Sequence, residues 1–224
     1  ALFAIFKLLN YSFADQCYHL SYGMVNLPQG RMKSREGTIV DADDLLDEME
    51  NLATKEVKKR YKNLSSKEIA ARAKAIGHAA IRFFLLKMDA IKDITFNPEE
   101  SLSFEGETGP YVQYTHARLC SILKKAKSTG KANYESYDAE EINLIKKLGD
   151  FPSIIEASSS NLRPHILAHY LLELSQECNS YYVSHPILKE KQNIKQARLF
   201  LINHIKSVLN QGLKLLHIEA PEQM

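Results

Sequence analysis

The chain has 224 residues, 45% of them apolar and 25% charged, with a formal net charge of +2 at pH 7 and a pI near 8.3. That length allows one large or two small domains with a real core, and the pI stays below the values above about 9 that mark a nucleic-acid-binding domain by composition alone. Composition therefore neither requires nor excludes RNA. Cys17, Cys120 and Cys178 are odd in number and far apart, which offers no disulfide framework and no metal-ligand pair and fits a reducing compartment, with the cytoplasm as default. The longest apolar stretches, residues 1–6 and 81–86, fall far short of the roughly 18 residues a membrane span needs. Lys7 follows the first of them rather than preceding it, against a signal peptide.

Ala1 stands inside a helical pattern without an initiator methionine, so the chain reads as a piece of a longer protein. Residues 18–25, Tyr-His-Leu-Ser-Tyr-Gly-Met-Val, are aromatic and apolar and meet the breaker cluster Asn26 to Gly30, which predicts a strand entering a turn. Next comes Arg31-Met32-Lys33-Ser34-Arg35-Glu36-Gly37. Its cations, hydroxyl and glycine could wrap phosphate oxygens, and a solvated turn is the alternative. Asp41 or Asp43 can cap a helix carrying Leu45, Leu46 and Met49. Lys55, Lys58, Lys59, Arg60 and Lys62 read as a solvated helix face, with nucleic-acid phosphates as the other possibility.

Everything after Asp41 reads as helix with short breaks. Ser65 and Glu68 form a capping box opening a helix towards Met88. Asn97-Pro98 ends the following segment, and residues 103–110, with two glycines and a proline, mark a domain boundary. Further helices are predicted from Tyr111 to Lys127, from Asp138 to just before Phe151-Pro152, and from Pro164 to Tyr182. Asn193, with Gln196 three residues on, starts the last, whose stripe Leu199, Ile202, Ile205, Leu209, Leu213, Leu216 keeps helical spacing. These helices would bury one another as a bundle. The predicted fold is mainly α, with strand-and-loop character confined to the first forty residues or so.

Between Tyr111 and Lys131 there is no acidic residue. On a helix Tyr111, Tyr114 and Arg118 fall within an arc of roughly 60°, presenting two rings and a guanidinium together. That is a plausible platform for stacking unpaired bases, or two tyrosines packed into the bundle with their hydroxyls bonded. His165 and His169 stand four apart, but no third ligand accompanies them, so no metal is expected. Glu99 and Glu100 are loop acids without a basic or nucleophilic partner.

The loop at 31–35 resembles a degenerate Lys-Met-Ser-Lys-Ser loop of class I aminoacyl-tRNA synthetases. With residues 19–25 before it and Thr38 to Glu48 after it, the string is similar to arginyl-tRNA synthetases. Residues 106–118, Gly-Glu-Thr-Gly-Pro-Tyr-Val-Gln-Tyr-Thr-His-Ala-Arg, resemble the start of that family's anticodon-binding domain. His165 to Ser175 with Tyr181-Tyr182, and the terminal Ala-Pro-Glu-Gln-Met at 220–224, extend the likeness to essentially the whole chain and to a native C-terminus. The family's His-Ile-Gly-His signature is missing; Ile76-Gly77-His78 sits inside a predicted helix and matches by chance.

The resemblance implies three parts: residues 1–45, the last strand and loop of a Rossmann-like α/β nucleotide-binding catalytic domain, 46–104 a helical connector, and 105–224 an all-α helical-bundle anticodon-binding domain. It implies a monomeric cytoplasmic ligase that uses ATP, Mg²⁺, L-arginine and arginine tRNA. Lys33, Ser34 and Arg35 would act at the phosphates, Met32 with Gly23, Met24 and Val25 at the adenine. Tyr111, Tyr114, Arg118, Tyr182 and Met224 would lie at the anticodon. This stretch alone, without the other half of the ATP site, would be inactive. The competing expectation is a free-standing helical RNA-binding or protein-interaction module without catalysis.

Overall fold

The structure, a computed structural model, describes residues 1–26, 28, 41–131 and 133–224. Helix α1 (Leu2–Leu8) and a 3₁₀ turn (Ala14–Gln16) precede strand β1 (Val25–Asn26). Strand β1 pairs in parallel with β2 (Ile94–Thr95), Val25 opposite Ile94 and Asn26 opposite Thr95. The strand expected over 18–25 is thus confined to its end. Among the described residues the ladder partner is only two residues long, and Gly23 just before it donates instead to the Ala90 carbonyl, at 2.7 Å. A two-residue strand such as β2 shows no readable alternation, and it was not foreseen.

Helix α2 (Ala42–Arg60) starts at Asp41, whose carboxylate accepts from the Asp43 N–H, and ends on Lys58, Lys59 and Arg60. Acids at its first turn and bases at its last both suit the helix dipole. Its buried residues Met49, Ala53 and Val57 recur every four positions, so a single stripe packs on α3 (Ser66–Leu86). Ser65 and Glu68 form the expected reciprocal cap. Gly77 allows the two backbones to approach, since a Cβ there would press on the Met49 main chain.

Asn97 does not end a segment but caps a short helix α4 (Pro98–Ser101), with Pro98 in its first turn. Helix α5 (Gly109–Ala126) begins two residues before Tyr111, because Thr108 accepts the Tyr111 N–H and Pro110 suits the first turn. Helix α6 (Ala139–Gly149) has a capping box between Asp138 and Glu141. The stop expected at Phe151-Pro152 is instead the start of α7 (Phe151–Ser160), Asp150 closing one helix and opening the next. Proline lacks the donor that a first turn does not use, so it punctuates without ending helical structure. Helices α8 (Pro164–Ser184) and α9 (Gln192–Leu215) follow. Asn193 lies inside α9, which has no side-chain cap.

Two apolar clusters hold the chain. The larger joins Phe83 of α3 and Leu119 of α5 to α6, α8 and α9 through Leu144, Leu171, Leu174, Ile202 and Ile205. The smaller joins α2 and α3 to Phe96 and Leu102, with Met224 packed against it. Helix α3 belongs to both, through Phe83 and Ile76. No helix among the described residues is long and apolar enough to cross a membrane.

Candidate nucleic-acid interface

The residues of α5 that the helical arc grouped converge with one further side chain, Asn179 of α8. The Asn179 amide donates to the Tyr111 hydroxyl at 3.0 Å and to Thr115 Oγ1 at 2.8 Å. Its carbonyl accepts from Arg118 Nη1 at 2.8 Å. Arg118 Nη2 donates to the Tyr114 hydroxyl at 3.0 Å. The guanidinium carbon lies 4.7 Å from the Tyr114 ring centroid and 5.4 Å from that of Tyr182, within cation–π range of both. Both tyrosine hydroxyls are therefore bonded and Tyr111 packs on the larger cluster, yet Tyr111 and Tyr114 stay half-buried and line an open cavity. Structural packing and an available ring surface coexist here.

The pair Tyr181-Tyr182 divides its work. Tyr181 is fully buried and donates to Glu141 Oε1 at 2.8 Å; burial, with the Glu141 carboxylate beside it, pushes its hydroxyl far above the ordinary tyrosine range. Tyr182 is 40% exposed on the Arg118 side. Only the second is available to a ligand.

Two cavities share Tyr114 and Arg118 as a common wall. One, of about 870 Å³, runs between that wall and α2, where Lys55, Lys59 and Arg60 line it. The face read as solvated thus looks across at the tyrosines. Phe104 stands in the same cavity, edge-on to Tyr114 at 6.4 Å and 85°. The other, of about 420 Å³, is lined by Tyr61, Arg72, Gln223 and Met224. Asn179, Phe104 and Arg72 escaped the sequence reading, and Arg60 entered it only as one cation of a solvated face. A polar Asn179 one turn before Tyr182 was the one signal present; the rest depend on tertiary packing.

The C-terminal tail reaches this place by specific anchors. Gln113 Nε2 donates to the carbonyls of Ala75 at 3.2 Å and Glu219 at 2.8 Å. Arg82 donates to the His217 carbonyl at 2.6 Å. His116 Nδ1 donates to the Pro221 carbonyl at 3.0 Å, an acceptor that assigns the proton to Nδ1. Burial holds the His116 pKa below its ordinary 6.5. The unfolded chain then takes up the proton first as pH falls, so this contribution to stability is intact above about 6.5 and lost below it. Denaturant melts should show stability falling between pH 7 and 5, and His116→Gln should flatten that part of the profile.

Of the other predicted residues, Gly23, Met24 and Val25 lead into β1. Their surroundings are intramolecular: Met24 N–H donates to Asp93 Oδ1 at 2.7 Å, Met24 O accepts from Ile94 N, and a Cβ on Gly23 would collide with the main chain at Lys92 and Asp93. Met32, Lys33, Ser34 and Arg35 lie outside the described residues. His165 and His169 have ring centroids 6.3 Å apart, and no group of three or more His, Cys, Asp or Glu among the described residues could hold a metal.

The bundle thus turns an aromatic and guanidinium platform to solvent and folds its C-terminus against it. Residues 112–224 match the family model described as the DALR anticodon binding domain, and residues 1–98 match that of the class I tRNA synthetases (R), catalytic domain. Over its full length the chain is 42% identical to the arginine–tRNA ligases of Flavobacterium psychrophilum and Treponema denticola, covering 38% and 40% of those proteins. The Thermus thermophilus arginyl-tRNA synthetase structure superposes on all of it with a TM-score of 0.90 at 34% identity, over 38% of that chain. The chain belongs to the arginyl-tRNA synthetase family, and it spans about two fifths of the length of the relatives it matches.

Proposed function

We propose that this chain supplies the signature loop and the anticodon reader of an arginine–tRNA ligase, an enzyme that activates L-arginine with ATP and passes it to the 3′ end of arginine tRNA. Residues 1–45 end the catalytic domain, 46–104 connect, and 105–224 read the anticodon. The single observation that carries the reading is the convergence of Tyr111, Tyr114, Arg118 and Tyr182 on one open surface, with Met224 brought beside Tyr114 and Arg118 by the anchored tail. A flat ring offered to solvent beside a guanidinium accepts any unpaired base by stacking, and edge contacts around it then select among bases.

In the same reading Lys33 and Arg35 stabilise the charge that develops on departing pyrophosphate, Ser34 donates its hydroxyl, and Met32 with Gly23 to Val25 borders the adenine. Mg²⁺ travels on the ATP phosphates and supplies further charge neutralisation. The enzyme works as a cytoplasmic monomer. The 224-residue chain alone lacks a His-Ile-Gly-His motif and is expected to show no arginine-dependent exchange of pyrophosphate into ATP.

The test is binding of the chain to arginine tRNA and to the same tRNA with its anticodon substituted, at one fixed ionic strength. Stacking plus edge recognition at ~1–3 kcal/mol per base predicts roughly tenfold or greater preference for the native anticodon. Equal affinity for both would reject the assignment.

A further inference from the structure

Two groups of cations among the described residues contrast. Lys7, Lys147 and Arg198 are engaged by carboxylates, with Asp15 at 2.8 Å, Glu177 at 2.6 Å and Glu141 at 2.8 Å. Arg60, Arg72 and Arg118 form no ion pair with a carboxylate among the described residues, Glu68 acting on Arg72 only through its field, and each lies over an aromatic ring. The Arg60 guanidinium carbon is 4.1 Å from the centroid of Phe104, that of Arg72 5.0 Å from Tyr61, and that of Arg118 4.7 Å from Tyr114. A guanidinium laid on a ring keeps its N–H donors in its own plane, free to grip an oxyanion by two parallel bonds. Arg118 spends two of them on Asn179 and Tyr114. Arg72 spends one, on Gln223 at a long 3.4 Å. For Arg60 no bond to any described residue is formed.

Their placement gives this spare capacity a direction. Arg60 lines the larger cavity and Arg72 the smaller, one on each side of the wall made by Tyr114 and Arg118. Phe104 and Tyr61, the rings that hold them, belong to the connection after α4 and to the end of α2, so both guanidiniums are braced from outside the bundle helix that carries the tyrosines. The carboxylates facing the larger cavity are Glu56, Glu99 and Glu105, and Lys59 neutralises the first at 2.6 Å. Lys55, exposed on the same cavity, has no carboxylate partner among the described residues.

We propose that Arg60 and Arg72 bind backbone phosphates of the RNA loop on opposite sides of the Tyr114–Arg118 wall, so that the strand crosses the wall with its bases turned into the two cavities. This rests on reading the platform as an RNA interface. The two arginines fix the path and register of the strand and carry no base information, as phosphate contacts do elsewhere.

Phosphate neutralisation has a signature that structural support lacks. Each contact to a single strand contributes about 0.7 to the slope of log affinity against log salt. The chain, its Arg60→Gln and Arg72→Gln variants, and the charge-keeping Arg60→Lys and Arg72→Lys variants would be titrated with arginine tRNA and with its anticodon-substituted form across a salt series. Far-UV circular dichroism and melting would confirm that each variant folds.

The expected result is that each glutamine variant lowers the slope by about 0.7, weakens both tRNAs by the same factor, and leaves their affinity ratio unchanged, while the lysine variants keep the parent slope. An unchanged slope in both glutamine variants overturns the proposal, as does a changed affinity ratio at constant slope. A parent chain that does not distinguish the two tRNAs, with slopes that still fall in the variants, removes the anticodon reading and keeps the phosphate site.

Discussion

Glu141→Ala is expected to destabilise the bundle by about 3–5 kcal/mol, the cost of breaking a buried ion pair from one side. Glu141 is fully buried. Its Oε1 accepts from Arg198 Nε and from the Tyr181 hydroxyl, both at 2.8 Å, and its Oε2 accepts from the Asp138 N–H at 2.9 Å. One carboxylate thus closes the cap of α6, pairs a cation on α9 and satisfies a buried phenol on α8. Removing it strands the buried Tyr181 hydroxyl, the Asp138 N–H at the cap and a guanidinium that is only 9% exposed.

Arg198 keeps a bond to the Pro186 carbonyl at 2.7 Å and more distant contacts with Asp138 and Glu190, which places the effect towards the lower end of that range. Glu141→Gln does not restore the site, because all three partners are donors and the amide NH₂ must face one of them. Chemical denaturation of the parent chain and both variants measures this. A loss below about 1 kcal/mol in Glu141→Ala would mean that the network carries little of the bundle's stability.

How much of this could be read in the sequence differs by element, for physical reasons. Helices α2, α3 and α6 announce themselves through local chemistry: Asp41, Ser65 with Glu68, and Asp138 with Glu141 cap them by bonds between residues two or three apart. Signals of that kind need no tertiary context. Helix α7 was lost because Pro152 reads equally as a stop and as a first-turn residue. The site is split in the same way. Tyr111, Tyr114 and Arg118 share one helix, so periodicity groups them. Asn179 lies 61 positions from Arg118, and Arg60 meets Phe104 only because α2 folds back beside the segment after α4. The Glu141–Arg198 pair, 57 positions apart, was equally invisible. The roles expected of Lys33, Ser34 and Arg35 came from resemblance, and those residues lie outside the described ones.

Tyr114→Ala is expected to weaken binding of arginine tRNA by ~1–3 kcal/mol, the worth of stacking one base on an aromatic side chain, or roughly five- to 150-fold in dissociation constant. No other residue lines both cavities together with Arg118, meets Phe104 edge-on, and accepts from that arginine through its hydroxyl among the residues proposed to stack. Truncation removes the ring and, with it, the surface over which the Arg118 guanidinium lies. Tyr114→Phe separates these roles: it keeps the ring and the cation contact and gives up one exchangeable hydrogen bond, so its loss should stay within about 1.5 kcal/mol. In the proposed full-length ligase, ATP affinity should be unchanged in both variants, because Gly23 to Val25 are held by Ala90, Asp93 and Ile94 rather than by anything touching Tyr114. The measurement is a pair of titrations, tRNA and ATP, on parent and variants at one salt concentration. Equal losses for both ligands in Tyr114→Ala would mean that the ring supports the fold as a whole, and the platform would have to be given up as a base-stacking surface.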